Sequence, residues 1–254
     1  MNPDAVARAA QILVSARRHK QPIDSLPTDL RPAGQTDAEA IQDMTIELLD
    51  EPIGAWKVGA PGPQAEPSAC PLPASAVKDG PAMMRASDFP PLAVEAELCF
   101  RVLHDLPPRP GAYDADTALY AFGMMRPAIE IVASRYVDWQ AVDPWSRVAD
   151  MINNGALVVG AFGVADWRER DLARQKVRLE IGGRAVVTQD GGNSAGDPRR
   201  LLAWLANHAA KRVGGLRAGQ IVTTGSFTGI NHAVAGDTAL ALFPGVGETQ
   251  ATFV

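Results

Sequence analysis

Glu95 and Glu97 stand one residue apart in Val94-Glu-Ala-Glu-Leu-Cys-Phe100, and Glu130 stands alone in Pro127-Ala-Ile-Glu-Ile-Val132. Both segments are otherwise apolar. An ionised carboxylate removed from water without a partner carries a penalty of several kcal/mol, so acids set among Val, Ile, Leu and Phe must be neutralised, paired or bound to a cation. In a strand, residues two apart emerge on the same face about 6.5 to 7 Å apart, so Glu95 and Glu97 can reach one ion. The alternate residues Val94, Ala96, Leu98 and Phe100 make the opposite face apolar and pack it on a core. Three carboxylates form an all-oxygen set suited to Mg²⁺ or Mn²⁺, with positions left for water or substrate oxygens. The competing reading leaves Glu95 and Glu97 on a solvated face, paired with Arg101 or another base. Glu130, between Ile129 and Ile131, fits that reading less well.

Other side chains could act beside such an ion. Lys57 lies in Gly54-Ala-Trp-Lys-Val-Gly59, a short strand between glycines. Burial lowers a lysine pKa and neighbouring carboxylates raise it, so Lys57 could donate or accept a proton. The alternative is a surface lysine with its stem laid along the sheet. Ser226 and Thr228 sit in Thr224-Gly-Ser-Phe-Thr228, where hydroxyls and backbone N–H groups could grip a carboxylate or simply close a serine/threonine turn. Arg135 could neutralise a substrate carboxylate or an acid of the fold. His19, His104, His208 and His232 are scattered without ligand or triad spacing, and only His232 follows closely on a candidate group. Gly191-Gly192 lacks a nucleotide-binding context.

The elements that must carry these residues are legible from patterning. Val6, Ala9, Ile12, Leu13 and Ala16 form one stripe of a helix over 4–18. Thr36-Asp-Ala-Glu39 reads as a capping box opening a second helix that ends near Asp50-Glu-Pro52. Residues 60–91, rich in Pro and Ala, read as loop. The two glutamate strands follow, separated by a helix from Asp114 to Phe122. Further strands are expected at 156–160, 177–181, 184–188, 220–224, 238–243 and 249–254, with a hairpin turn at Gly182-Gly183. Asp197-Pro198 opens a helix running to Gly214. Many short strands, few helices and no regular βαβ alternation predict an α+β fold with a rolled mixed sheet.

The totals narrow the function classes. The 254 residues are 46% hydrophobic and 21% charged, enough for a sizeable core. A net charge of -5 without a run of Lys or Arg argues against nucleic acid or an anionic membrane as partner. Cys70 and Cys99 are too far apart for a CxxC motif and suit a reducing cytoplasm. No stretch has the length and apolarity of a signal peptide or a bilayer span, so a cytoplasmic location is expected.

Taken together, Trp56-Lys-Val-Gly59, Val94-Glu-Ala-Glu-Leu98, Pro127-Ala-Ile-Glu130 with Ser134-Arg135, Ala149-Asp150 through Asn154-Gly155, Asp197-Pro198 and Thr224-Gly-Ser-Phe-Thr228 resemble the 2-oxopent-4-enoate hydratase family. That family includes 2-oxoheptenedioate hydratases and 4-oxalocrotonate decarboxylases, within the fumarylacetoacetate hydrolase superfamily. The resemblance implies an N-terminal helical segment over 1–52 and a metal-binding catalytic β-roll over 53–254. It also implies an Mg²⁺ or Mn²⁺ site at Glu95, Glu97 and Glu130, a small 2-oxo acid substrate and a homo-oligomer. Lys57 matches the family's active-site lysine, and Ser226, Thr228 and Arg135 fall where substrate would be oriented. Where these hydratases carry an Asp about twenty residues after the lysine, this chain has Pro73-Ala-Ser75-Ala76, leaving Ser75 to hold a water or Asp79 to substitute. The expected activity is hydration of a 2-hydroxy-2,4-dienoate, with decarboxylation of a 4-oxalocrotonate-type acid as its rival. An acylpyruvate hydrolase and a metal-binding homologue without turnover are the remaining alternatives.

Overall fold

The computed structural model describes residues 1–254. The chain begins with two helices, α1 (Pro3–His19) and α2 (Gln35–Leu49). Four strands follow: β1 (Ile53–Gly59), β2 (Ser68–Pro73), β3 (Val77–Asp79) and β4 (Ala82–Met84). Then come β5 (Ala93–Val102), α3 (Ala115–Tyr120), β6 (Phe122–Val132), α4 (Pro144–Ala149) and β7 (Asn154–Val159). A hairpin of β8 (Lys176–Ile181) and β9 (Arg184–Asp190) precedes α5 (Arg199–Arg212). The chain closes with β10 (Ile221–Ser226), β11 (Asn231–His232), β12 (Thr238–Phe243) and β13 (Gly247–Phe253).

These strands build two mixed sheets, as the α+β, rolled-sheet reading anticipates. The larger runs β2-β1-β10-β5-β6-β7-β3, with β11 also paired to β5, and the smaller runs β4-β13-β12-β8-β9. β1 pairs parallel to β10, while β10, β5, β6 and β7 are successively antiparallel. The main core lies between the sheets. Val94, Ala96, Leu98 and Phe100 of β5 meet Phe243 and Phe253 of the small sheet and Leu205 of α5 in one cluster. The opposite face of the large sheet, which carries the glutamates, is also covered. Ala55, Cys70, Leu72, Cys99, Ala128 and Leu157 pack there with Met151. β5 is therefore buried on both sides, and the solvated-face reading of Glu95 and Glu97 fails.

Local corrections have physical causes. The 60–91 stretch holds three short strands. β2 contains Pro71 and Pro73, which the ladder tolerates because β2 is an edge strand. The Thr36 capping box does not form: α2 begins at Gln35 with Gly34 as its cap, and Asp37 instead accepts from Ala33 N at 3.0 Å. α5 starts at Arg199, with Asp197 accepting from Arg199 N at 3.0 Å. α4 went unread in the sequence although Asp143-Pro144 marks its start; Asp143 accepts from Ser146 N at 2.8 Å.

The N-terminal helices share a core with the loop after β6. Val6, Leu13 and Ile41 cluster with Tyr136 and Ala149, and Arg17 donates to Asn154 O at 2.7 Å. No helix is long and apolar enough to cross a membrane.

Candidate metal centre and active site

Sheet register brings the acids together. Glu95 and Glu130 are direct cross-strand partners on β5 and β6, a relation that places their Cβ atoms about 4.5 to 5.5 Å apart. Glu97 follows on the same face of β5. One carboxylate oxygen from each of Glu95, Glu97 and Glu130 lies within 4.8 Å of the others. Glu97 and Glu130 are fully buried and Glu95 partly so.

Neighbouring strands supply the rest of the floor. β1 places Lys57 opposite Thr223 of β10, which in turn lies opposite Cys99 of β5. Thr223 Oγ1 donates to Glu97 Oε2. Lys57 Nζ donates to Glu130 Oε1 at 2.8 Å and stands 2.8 Å from Oε2, its side chain only 12% exposed. Asn154 Nδ2, at the start of β7, donates to Glu130 Oε1 at 3.0 Å.

The charge balance is incomplete with protein groups alone. Burial, reinforced by Glu130, raises the Glu97 carboxyl well above its ordinary range, and burial likewise raises Glu95. Burial opposes charge on Lys57 too, but Glu130, Glu95 and Glu97 outweigh it and hold the ammonium charged. One lysine thus faces three carboxylates, and Glu97 Oε1 is buried without a donor. An orphaned carboxylate oxygen beside two further carboxylates fits a hard divalent cation. Glu95, Glu97 and Glu130 are the residues that would hold it.

A strained turn closes one side. Met151, Ile152 and Asn153 adopt φ of 51°, 52° and 57° in succession. Left-handed backbone costs about 1 to 2 kcal/mol per non-glycine residue, so three in a row need compensation. Lys57 Nζ donates to Ile152 O at 3.2 Å, Cys70 Sγ to Met151 O at 3.2 Å and Ala133 N to Asn153 O at 2.9 Å. The turn therefore aims a carbonyl at Lys57. Ile152 and Asn153 line a cavity of about 370 Å³ together with Lys57, Glu95, Trp139 and Arg147. Asn153 Oδ1 has no hydrogen-bond donor. Trp139, Arg147 and Asn153 were not singled out in the sequence, and Asn154 entered only as the end of the Ala149–Asn154 stretch of the resemblance, without a role. Two consecutive asparagines ahead of a core strand were the one available signal.

The expected substrate-binding residues Arg135, Ser226 and Thr228, and the expected catalytic Ser75, are placed differently from one another. Arg135 is buried, with Nε donating to Asp150 Oδ1, Nη1 to Asn154 O at 2.8 Å and Nη2 to Asp150 O at 2.7 Å. It braces the loop after β6 and is not free to orient a substrate. Ser75 lies in the turn between β2 and β3, donating to Glu51 Oε1 at 2.9 Å. It lines a separate cavity of about 650 Å³ that contains neither Lys57 nor any of the three glutamates. Ser75 therefore cannot replace the missing acid, and exposed Asp79, on β3 at the sheet's far end, is no substitute. Thr228 Oγ1 accepts from Ala96 N at 3.0 Å and donates to Gly229 O at 3.2 Å, which commits it to the backbone. Ser226 lies opposite Glu97 in the ladder, its Oγ accepting from Thr228 N at 3.2 Å, and its hydroxyl partly offsets the upward push of burial on the Glu95 carboxyl. His232 is exposed on β11, and no histidine lines the cavity. Burial pushes the Cys70 and Cys99 thiols up to about 12, so neither is a nucleophile.

Residues 53–254 match the family described as fumarylacetoacetate (FAA) hydrolase, C-terminal. A 2-keto-4-pentenoate hydratase of Burkholderia vietnamiensis is 31% identical over 175 residues, covering 69% of this chain and 65% of that protein. A 4-oxalocrotonate decarboxylase of Pseudomonas putida is 30% identical over 145 residues, covering 57% of this chain and 54% of that protein. The chain thus spans less than two thirds of the length of these relatives. The solved 4-oxalocrotonate decarboxylase from Pseudomonas putida G7, complexed with magnesium and adipate, superposes with a TM-score of 0.86 at 24% identity, over 100% of this chain and 99% of that one. At that identity the likeness is one of fold.

Proposed function

The chain belongs to the fumarylacetoacetate hydrolase family, and from that premise we propose that it is a divalent-metal-dependent lyase, a hydratase converting a 2-hydroxy-2,4-dienoate into a 4-hydroxy-2-oxo acid. The observation that carries this reading is the trio Glu95, Glu97 and Glu130 with carboxylate oxygens within 4.8 Å, set beside charged Lys57. Relatives of about 30% identity named as 2-keto-4-pentenoate hydratases support it. Mg²⁺ or Mn²⁺ in this oxygen set would act as a Lewis acid, stabilising negative charge on the substrate's C2 oxygen by several kcal/mol.

The chain's own residues would do the following. Lys57, as the ammonium, gives a proton at C5 of the dienol and recovers one from the C2 hydroxyl, producing the 2-oxo-3-enoate. Water then adds across C3 and C4, its oxygen to C4 and a proton to C3. Asn153, which lines the cavity, orients that water, and the Ser226 hydroxyl favours the charged form of Glu95. The apolar wall of Val132, Trp139 and Ile230 limits competing water.

Decarboxylation is the second reading, and one observation favours it: with Ser75 elsewhere, no acid beyond the glutamate trio lines the cavity to activate water. An acylpyruvate hydrolase needs a histidine base that the cavity lacks. The test is an ultraviolet assay of dienol disappearance with and without Mg²⁺, with products weighed by mass spectrometry. Metal-dependent gain of one water is expected. Loss of carbon dioxide would establish the rival chemistry, and metal binding without turnover would leave a non-catalytic homologue.

A further inference from the structure

The cavity wall carries a cation that the chemistry above leaves unused. Arg147, on α4, lines the cavity with Lys57 and Glu95 and is half-buried. Its backbone N–H bonds Asp143 O at 3.3 Å, but its guanidinium has neither a hydrogen-bond nor an ion-pair partner. Nearby arginines differ. Arg135 spends all three nitrogens on Asp150 and Asn154, and Arg212 spends its own on Asp43, Gln42, Glu39 and Ala69. Lys57, the other cation of the cavity, is engaged by Glu130 and Ile152 O. Much of the remaining lining is apolar, with Val132, Trp139, Val148 and Ile230 among it, which suits a hydrocarbon chain.

We infer that Arg147 recognises a second carboxylate at the far end of the substrate's carbon chain, making the substrate class a 2-oxo dicarboxylic acid or its dienol. A guanidinium matches a carboxylate with paired donors, and no acid of the protein occupies it. The inference rests on the reading that this cavity takes a 2-oxo acid. It also separates the two chemistries proposed for the site. A carboxylate paired with Arg147 is stabilised as an anion, and its departure as neutral carbon dioxide would break that pairing on the way to the transition state. Hydration leaves the pairing intact. Arg147 therefore selects a carboxylate that is retained.

The test compares wild type, Arg147→Ala and Arg147→Lys, all with Mg²⁺, on two 2-hydroxy-2,4-dienoates of equal chain length, one ending in a carboxylate and one in a methyl group. The ratio of kcat/KM for the dicarboxylate over the monocarboxylate should fall about 10- to 100-fold in Arg147→Ala, chiefly through KM, and recover in part in Arg147→Lys. The product should keep both carboxylates. An unchanged ratio, equal losses on both substrates, or release of carbon dioxide from the dicarboxylate would overturn the inference. Titration of Mg²⁺-loaded protein with 2-oxoadipate and 2-oxohexanoate separates this from turnover. Wild type should prefer 2-oxoadipate and Arg147→Ala should not, even if neither dienoate is consumed, in which case the hydratase reading alone fails. Equal affinities in wild type would remove Arg147 from recognition while leaving dienoate hydration standing.

Discussion

Among single side chains, Glu97 holds the most constrained position, fully buried, with one oxygen bound by Thr223 and the other without a donor. Replacing it with Gln removes a charge that the metal-free protein holds at a cost and that a bound cation requires. Glu97→Gln should therefore lower Mg²⁺ affinity by at least about 100-fold, beyond the range typical of residues that only support a ligand, and abolish turnover. Its melting temperature without metal should equal or exceed that of wild type. Isothermal titration and thermal melts decide this, and an active, metal-independent variant would refute the site. Lys57→Ala should behave oppositely, since Lys57 occupies Glu130 without competing for the other two acids. We expect Mg²⁺ binding to persist while kcat falls about 100- to 10,000-fold, the usual range for a positioned proton donor. Unchanged kinetics would take Lys57 out of the mechanism.

Elements matter here through the segment between β6 and β7. α4 carries Arg147, the left-handed turn at 151–153 aims Ile152 O at Lys57, and Asn154 donates to Glu130. Gly155 lets β7 follow at once, because a Cβ there would stand 2.8 Å from Phe89 and 2.9 Å from the Ala133 side chain. Arg135 and Asp150 tie the two ends of this segment together inside the protein. Removing one partner leaves a buried charge unpaired, so Arg135→Ala should destabilise the fold by about 3 to 5 kcal/mol, measurable by urea denaturation. Folded variant should retain the substrate preference of wild type, whereas a substrate-binding Arg135 would raise KM with little loss of stability. This segment was the least legible part of the sequence. Its helix has six residues, and its turn relies on carbonyl acceptors met by Lys57, Cys70 and Ala133, all remote in sequence.

For the molecule as a whole, the site lies on the face of the large sheet turned away from the main core, under a cover built partly by the N-terminal helices. Cation binding should therefore stabilise the entire fold. With Mg²⁺ at about 100 times its Kd, the expected gain of about 2.7 kcal/mol corresponds to a rise of roughly 5 to 11 °C in melting temperature, reversed by chelation. A flat melting temperature would argue against a metal centre. A chain beginning at Ile53 would uncover Tyr136 and Ala149 and lose the bond from Arg17 to Asn154. It should unfold without a cooperative transition, as scanning calorimetry would report. Most of the longer strands, the apolar face of β5 and the acids on its other face were written in the sequence, because alternation along one strand is a local property, whereas the short strands within 60–91 were not. So was the competence of three carboxylates to hold a cation, which follows from side-chain chemistry alone. Tertiary structure decided what depends on distance between segments: that Glu130 lies opposite Glu95, that Lys57 reaches Glu130, that Arg135 is spent on Asp150 and that Ser75 faces another cavity. Register and packing fix those relations, and no spacing within a single stretch of chain encodes them.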